Sequence, residues 1–183
     1  MPSPSKERTL LKIFFNHPTK HWHFKELKQK AKISDAKLAK WINKFIRQNL
    51  ITKVKKTKKM PYYIANYNSP NYQNTKKIFA LEELHKSGLL NHLLSLKAKV
   101  VIIFGSLSRW DWYDESDLDL FIFGDAKGFK PVKYETQLHR EIQIFHAKNK
   151  KDLKKFGPEL LNNIIQGEFI KGDIKTLGVL QHA

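Results

Sequence analysis

Residues 101–120, VIIFGSLSRWDWYDESDLDL, constrain this chain more than any other segment. An apolar run at 101–104 ends in a Gly105-Ser106 turn, and two carboxylates, Asp117 and Asp119, then stand at alternate positions ahead of a second apolar run at 120–123. Side chains of a strand alternate between the two faces of its sheet, so Asp117 and Asp119 point to the same side. Two acids held together repel each other and call for a compensating cation. A hard divalent ion such as Mg²⁺ takes oxygen ligands and commonly works alongside substrate phosphates. The turn supplies the other half of such a site. Gly105 admits close approach of backbone, and Ser106 offers a hydroxyl and an N–H at a helix start, where phosphate is favoured.

Four apolar residues, Gly-Ser, an Arg three positions on and then Ser-Asp-x-Asp-Leu make a pattern that resembles the nucleotidyltransferase superfamily typified by DNA polymerase beta, especially its minimal prokaryotic members. Gly105, Ser106, Arg109, Ser116, Asp117, Asp119 and Leu120 stand at the matching offsets. Ser108 replaces a usual Ala, and Trp110 replaces the Gly that usually follows the Arg. The resemblance implies that Asp117 and Asp119 are catalytic and hold Mg²⁺, with Mn²⁺ as the alternative ion, against the phosphates of a nucleoside triphosphate. It further implies that Gly105, Ser106, Arg109 and Ser116 contact the nucleotide, Ser106 at the terminal phosphates and Arg109 at the pyrophosphate. An acceptor hydroxyl would attack the α-phosphate and release pyrophosphate. Family members also carry a third carboxylate on the following strand. The best match here, Ile142-Gln143-Ile144-Phe145, puts Gln143 in that place. Glu141, two residues earlier, would share its strand face at roughly 6–7 Å.

Charge is the second informative feature. The chain has 183 residues and a net charge of +17. Residues 1–100 hold 22 basic and 5 acidic side chains, and the remainder holds 12 of each. The whole excess lies in the first half, which should attract a polyanion, DNA ahead of RNA. An anionic membrane surface fits less well, because no strongly amphipathic Lys-rich helix with an isolated apolar face stands out. No run approaches the ~18 apolar residues of a membrane span, and no apolar signal core opens the chain. The absence of Cys excludes disulfides and thiolate metal sites and fits a reducing, cytoplasmic setting.

In the basic half, helical spacing predicts helices at 8–16, 24–31 and 35–48, with Ser34 as N-cap of the third and Asn49 ending it. Leu38, Ile42 and Phe45, with Ile46 beside them, form the apolar stripe of that third helix, and Lys37, Lys40, Lys44 and Gln48 fall largely on its other side. Strands at 51–55 and 62–67 flank a Lys-rich turn, giving Lys53, Lys55, Lys56, Lys58 and Lys59 to a cationic hairpin. Three helices followed by a basic hairpin resemble the winged helix-turn-helix domain, which implies a third helix in the DNA major groove and a hairpin on the backbone or minor groove. The plainer alternative is that these lysines solubilise a protein-docking domain. His21 and His23 flank Trp22, but no further ligands complete a zinc site, so a short connecting strand is expected. No Ser/His/Asp or Gly-x-Ser-x-Gly nucleophile is visible.

Asn68-Ser69-Pro70 is turn chemistry and the expected edge of the first domain. The expected organisation is 1–69 winged helix, 70–97 helical connector and 98–183 nucleotidyltransferase. Helices are expected at 75–86, 89–96, 134–139 and 158–166, the last opened by Pro158 and closed by Gly167, with strands at 100–104, 120–123, 141–145 and 169–171. The fold class is α+β: an N-terminal winged helix domain followed by a small nucleotidyltransferase-fold mixed sheet flanked by helices. Three functions stand open: a Mg²⁺-dependent nucleotidyltransferase coupled to DNA binding, a DNA-binding regulator whose nucleotidyltransferase-like domain only senses a nucleotide, and the antitoxin of a toxin–antitoxin pair. A homodimer or a partner protein is also left open.

Overall fold

A computed structural model describes residues 5–178. The chain divides into two compact units between Lys76 and Lys77. In the first, α1 (Lys6–Asn16), α2 (Phe24–Ala31) and α3 (Asp35–Arg47) precede an antiparallel pair, β1 (Ile51–Val54) and β2 (Tyr62–Ala65). Residues 21–23 add a short third edge, since Trp22 and Tyr63 exchange both backbone hydrogen bonds at 2.8 Å. Leu10, Phe14, Phe15, Trp22, Leu27, Leu38, Ile42 and Phe45 form the buried core, so the apolar stripes of all three helices converge on one another.

Two helix ends differ in how they are made. Asn49 closes α3 in the left-handed region (φ 54°), with its N–H on Ile46 O and the Leu50 N–H on Phe45 O, both at 2.9 Å; these two hydrogen bonds satisfy carbonyls of the last turn. Ser34 occupies the N-cap position of α3, but its side chain makes no capping bond. The expected domain edge at Asn68-Ser69-Pro70 is instead the start of α4 (Pro70–Lys86), which runs through the division between units. The first turns of α4 belong to the first unit, because Tyr72 is buried and its hydroxyl donates to Phe14 O at 3.3 Å.

The second unit continues with α5 (Leu89–Ser95), β3 (Ala98–Phe104), α6 (Ser106–Arg109), β4 (Leu118–Gly124), α7 (Val132–Leu138), β5 (Ile142–Ala147), α8 (Lys150–Leu153), α9 (Pro158–Ile165), β6 (Glu168–Lys171) and α10 (Ile174–Leu177). The sheet is mixed, ordered β5-β4-β3-β6, with β3 antiparallel to β4 and β6 and β4 parallel to β5. Central strands covered on both faces read as continuous apolar runs, and the 100–104 and 120–123 segments are buried throughout. One face packs Val100, Ile102, Phe104, Phe121 and Phe123 against Leu153, Ile164 and Leu177 from the flanking helices. The mixed sheet flanked by helices matches the expected α+β class. Gly167 does not close α9 as a left-handed cap; a Cβ there would lie 2.6 Å from Ile103 O, so glycine lets the chain turn into β6 hard against β3. The single-turn helices α8 and α10, capped by the side chains of Asn149 and Asp173, were too short for periodicity to reveal. Among the described residues no helix is long and apolar enough to cross a membrane.

Candidate active site

The antiparallel register sets Asp119 opposite Phe104, the last residue of β3, so the Asp119 carboxylate meets the turn that follows. Gly105 there has φ 71° and ψ −148°, a region open essentially to glycine alone. A Cβ on Gly105 would overlap Asp119 Oδ2 and stand 2.9 Å from its Cγ. The acid therefore lies directly over the turn backbone. Burial pushes the Asp119 carboxyl above the usual carboxylate range, the negative charge of Asp117 pushes it the same way, and Arg109 opposes both. Asp117, Asp119 and Arg109 thus feel one another's charge at the head of β4.

The parallel register places Gln143 beside Asp119, and Gln143 Nε2 donates to Asp117 Oδ2 at 3.0 Å. Glu141 lies outside β5; its carbonyl accepts from Leu118 N at 2.9 Å and its side chain is exposed. Among the described residues no group of three or more His, Cys, Asp or Glu could hold a metal ion. The protein therefore offers two carboxylates and an amide. Two carboxylates side by side, one of them with its pKa raised by burial and by the other's charge, fit the oxygen-ligand chemistry of a hard divalent cation, which would need further ligands from elsewhere.

The other residues expected to contact nucleotide lie on the turn, on α6 and in the loop ahead of β4. Ser106 is half-buried at the first position of α6, but one turn of helix carries little dipole, so its hydroxyl and the local amides are all it can offer an anion. Ser116 is buried, and its Oγ accepts from Tyr113 N at 2.9 Å; its hydroxyl secures the loop ahead of Asp117. Arg109 is exposed, with Nε 3.2 Å from Asp111 Oδ2. Trp110 has φ 67°, a left-handed backbone that costs a side-chain-bearing residue about 1–2 kcal/mol and accounts physically for the glycine usual at this place in the resembled family.

Arg140, between α7 and β5, carries no motif and was missed. Its guanidinium donates to Tyr113 O at 2.8 Å and to Ser116 O, and sits 4.8 Å from the centre of the Trp112 ring. Burial lowers its pKa, and the charges of Asp114 and Asp117 raise it in return. Arg140 thereby pins the 113–116 loop that delivers Asp117. Arg140→Lys keeps the charge but cannot span two carbonyls while stacking on a ring. Loss of about 2 kcal/mol in urea unfolding is expected, together with weaker nucleotide binding in a titration of the same variant.

In the first unit, Lys37 and Lys40 are exposed on α3 and Gln48 is exposed at its C-cap, and the exposed Lys44 is paired with Glu7 at 2.6 Å. Lys53, Lys55, Lys56, Lys58 and Lys59 are exposed along the hairpin. His21 stacks on Tyr62 with ring centres 4.0 Å apart, and His23 Nδ1 lies 3.0 Å from Pro61 O, so both histidines secure the edge formed by Trp22.

No curated protein and no solved structure matches the chain. Residues 90–174 match the family model described as Polymerase beta, Nucleotidyltransferase, a span that contains Gly105, Ser106, Arg109, Asp117, Asp119, Arg140 and Gln143. The second unit, with Asp119 laid over a glycine turn, therefore carries a domain similar to the nucleotidyltransferases of the polymerase beta family.

Proposed function

We propose that this chain binds a nucleoside triphosphate with Mg²⁺, or Mn²⁺, at the Gly105–Asp119 cradle and transfers its nucleoside monophosphate to a hydroxyl acceptor, while the basic first unit holds DNA as a winged helix. The observation that carries the first part is the Asp119 carboxylate seated on Gly105 and within the field of Asp117. Asp117 and Asp119 would hold the cation, which supplies charge neutralisation along the triphosphate. Ser106 and the turn amides position the terminal phosphates, and Arg109 balances the charge of the departing pyrophosphate. The DNA-binding part is supported by the order of three helices and a hairpin, by the Trp22–Tyr63 pairing that adds a third edge to that hairpin, and by the exposed lysines of α3 and the hairpin tip.

One contact favours a second reading. Gln143 gives Asp117 an N–H where the resembled family has a carboxylate, which suits a DNA-binding regulator that retains nucleotide without transferring it.

Incubation with labelled nucleoside triphosphates, Mg²⁺ and nucleic-acid or protein acceptors separates the two. Label transfer that disappears in Asp117→Ala/Asp119→Ala supports the enzyme, and nucleotide affinity in that variant is expected to fall roughly 100-fold or more, about 2.7 kcal/mol. Unchanged Mg²⁺-dependent affinity in the double variant would refute the site. Tight binding with no transfer from any nucleotide selects the regulator.

A further inference from the structure

Lys97, Lys99, Lys127 and Lys148 line one open pocket of about 620 Å³, with His146 and Asp125 on its wall. The pocket lies at the far end of β4 from the paired acids. Asp119 is the second residue of that strand and Gly124 its last, a separation of roughly 16 Å at the rise of a strand. Three chain segments build the pocket. The β3–β4 register shifts between Ala98 and Val100, and such a bulge re-aims the extra residue, here Lys99. Gly124 has φ 104°, and a Cβ on it would stand 3.1 Å from Lys99 N, so glycine permits the close approach of the two strand ends. The His146 ring nitrogen Nε2 is 2.7 Å from Gly124 O, fixing the end of β5 against the same corner. Asp125 is partly committed, since its Oδ1 accepts from Lys127 N at 2.8 Å.

The four lysines are exposed, and among the described residues none of their ammonium groups shares an ion pair with a carboxylate. The second unit is nearly neutral, with 16 basic and 14 acidic residues from 77 to 183. Asp111, Asp114, Glu115, Asp117 and Asp119 all fall in the segment leading into β4. Charge is thus segregated along the sheet rather than mixed over it, and the lysine end attracts anions. Lysine is a compact point charge on a flexible stem, suited to phosphate oxygens rather than to planar recognition. Apart from His146 the pocket has no ring on which a base could stack. That chemistry matches a sugar–phosphate backbone, contacted without reading sequence.

We propose that this pocket is a nucleic-acid backbone site on the nucleotidyltransferase-like unit itself, separate from both the paired acids and the basic first unit. It does not rest on transfer chemistry, so either outcome under Proposed function leaves it standing.

The test is fluorescence anisotropy of the full chain with a labelled single-stranded oligonucleotide, over a salt series. Each phosphate contact contributes about 0.7 to the slope of log affinity against log salt for a single strand. Lys99→Gln/Lys127→Gln/Lys148→Gln is expected to reduce that slope by about 2 with an unchanged thermal midpoint and unchanged Mg²⁺-dependent nucleotide binding. A control variant, Lys130→Gln/Lys133→Gln/Lys154→Gln, removes equal charge elsewhere on the same unit and is expected to leave the slope near that of the parent. A parent-like slope in the pocket variant overturns the proposal, as does an equal loss in the control, which would make the effect one of total charge. Tripolyphosphate binding that the pocket variant loses while its oligonucleotide slope stays intact overturns it too, and marks a small-anion site. Failure of DNA binding by the first unit is read separately, in Lys55→Gln/Lys56→Gln/Lys58→Gln.

Discussion

Gln143→Asp is expected to raise nucleotidyl transfer by about 100-fold or more and to destabilise the ligand-free protein by about 1–3 kcal/mol. Both effects come from one register. Gln143 lies beside Asp119 on the parallel neighbour strand and donates to Asp117 Oδ2. A carboxylate in its place removes that donor and sets a third negative charge next to an acid that already resists ionisation. The pH dependence has a definite sign. An acid whose pKa is higher in the folded state keeps its proton there to higher pH, so its stabilising contribution is greatest at low pH and declines as pH rises through the raised value. The penalty of Gln143→Asp is therefore small in acid and full at neutral pH. Mg²⁺ with nucleotide binds only the folded form and should restore stability. The checks are urea unfolding with and without Mg²⁺ and nucleotide, and single-turnover label transfer. If the rate stays at the parent level while nucleotide affinity is intact, the absence of a third carboxylate is not what limits the chemistry.

The halves of this site were not equally legible in the sequence. Gly105 and Asp119 could be found by local rules, since an apolar run ending in Gly-Ser marks the turn and a second apolar run marks the strand that carries Asp119, whereas Asp117 precedes that strand and owes its place to the loop rather than to strand alternation. The Leu38, Ile42 and Phe45 stripe of α3 was legible for the same reason, and those residues are buried. What stayed hidden depends on pairing between distant segments. Nothing in the 141–147 segment states that it runs parallel to β4, yet that pairing sets Gln143 against Asp117. Arg140 acts through carbonyl groups of Tyr113 and Ser116, and every residue has a carbonyl, so such a contact leaves no trace in side-chain pattern. The Ser116 hydroxyl, which the motif assigned to nucleotide, also accepts from the Tyr113 amide. Lys44 looked like one more solvated lysine of α3 until Glu7, far away in sequence, was seen to hold it. The unit division inside α4 was hidden because helix propensity runs on through it, while the core that Tyr72 joins comes from α1.

Gly105→Ala is expected to cost about 3 kcal/mol or more and to abolish Mg²⁺-dependent nucleotide binding. Two causes contribute. The backbone at φ 71°, ψ −148° strains any residue with a Cβ by about 1–3 kcal/mol, and the new methyl would occupy the space of Asp119 Oδ2. A double-mutant cycle with Asp119→Ala separates them. Alanine at 119 removes the Cγ and both oxygens that the methyl would strike and leaves only a Cβ, at 3.3 Å. If overlap with the carboxylate matters, the double variant will be more stable than the sum of the single losses implies, with a coupling of roughly 1 kcal/mol or more in urea unfolding. Strain in the turn alone predicts additivity, because Asp119→Ala does not change the backbone at residue 105. Additivity would place the Asp119 carboxylate away from the turn in solution. Asp119 would then no longer lie over the Gly105 backbone, and the proposed cation would lose its bridge from that acid to phosphates at the turn. A strong coupling fixes the acid over the glycine, the arrangement that the proposed bridging of Asp119 to phosphate through a cation requires.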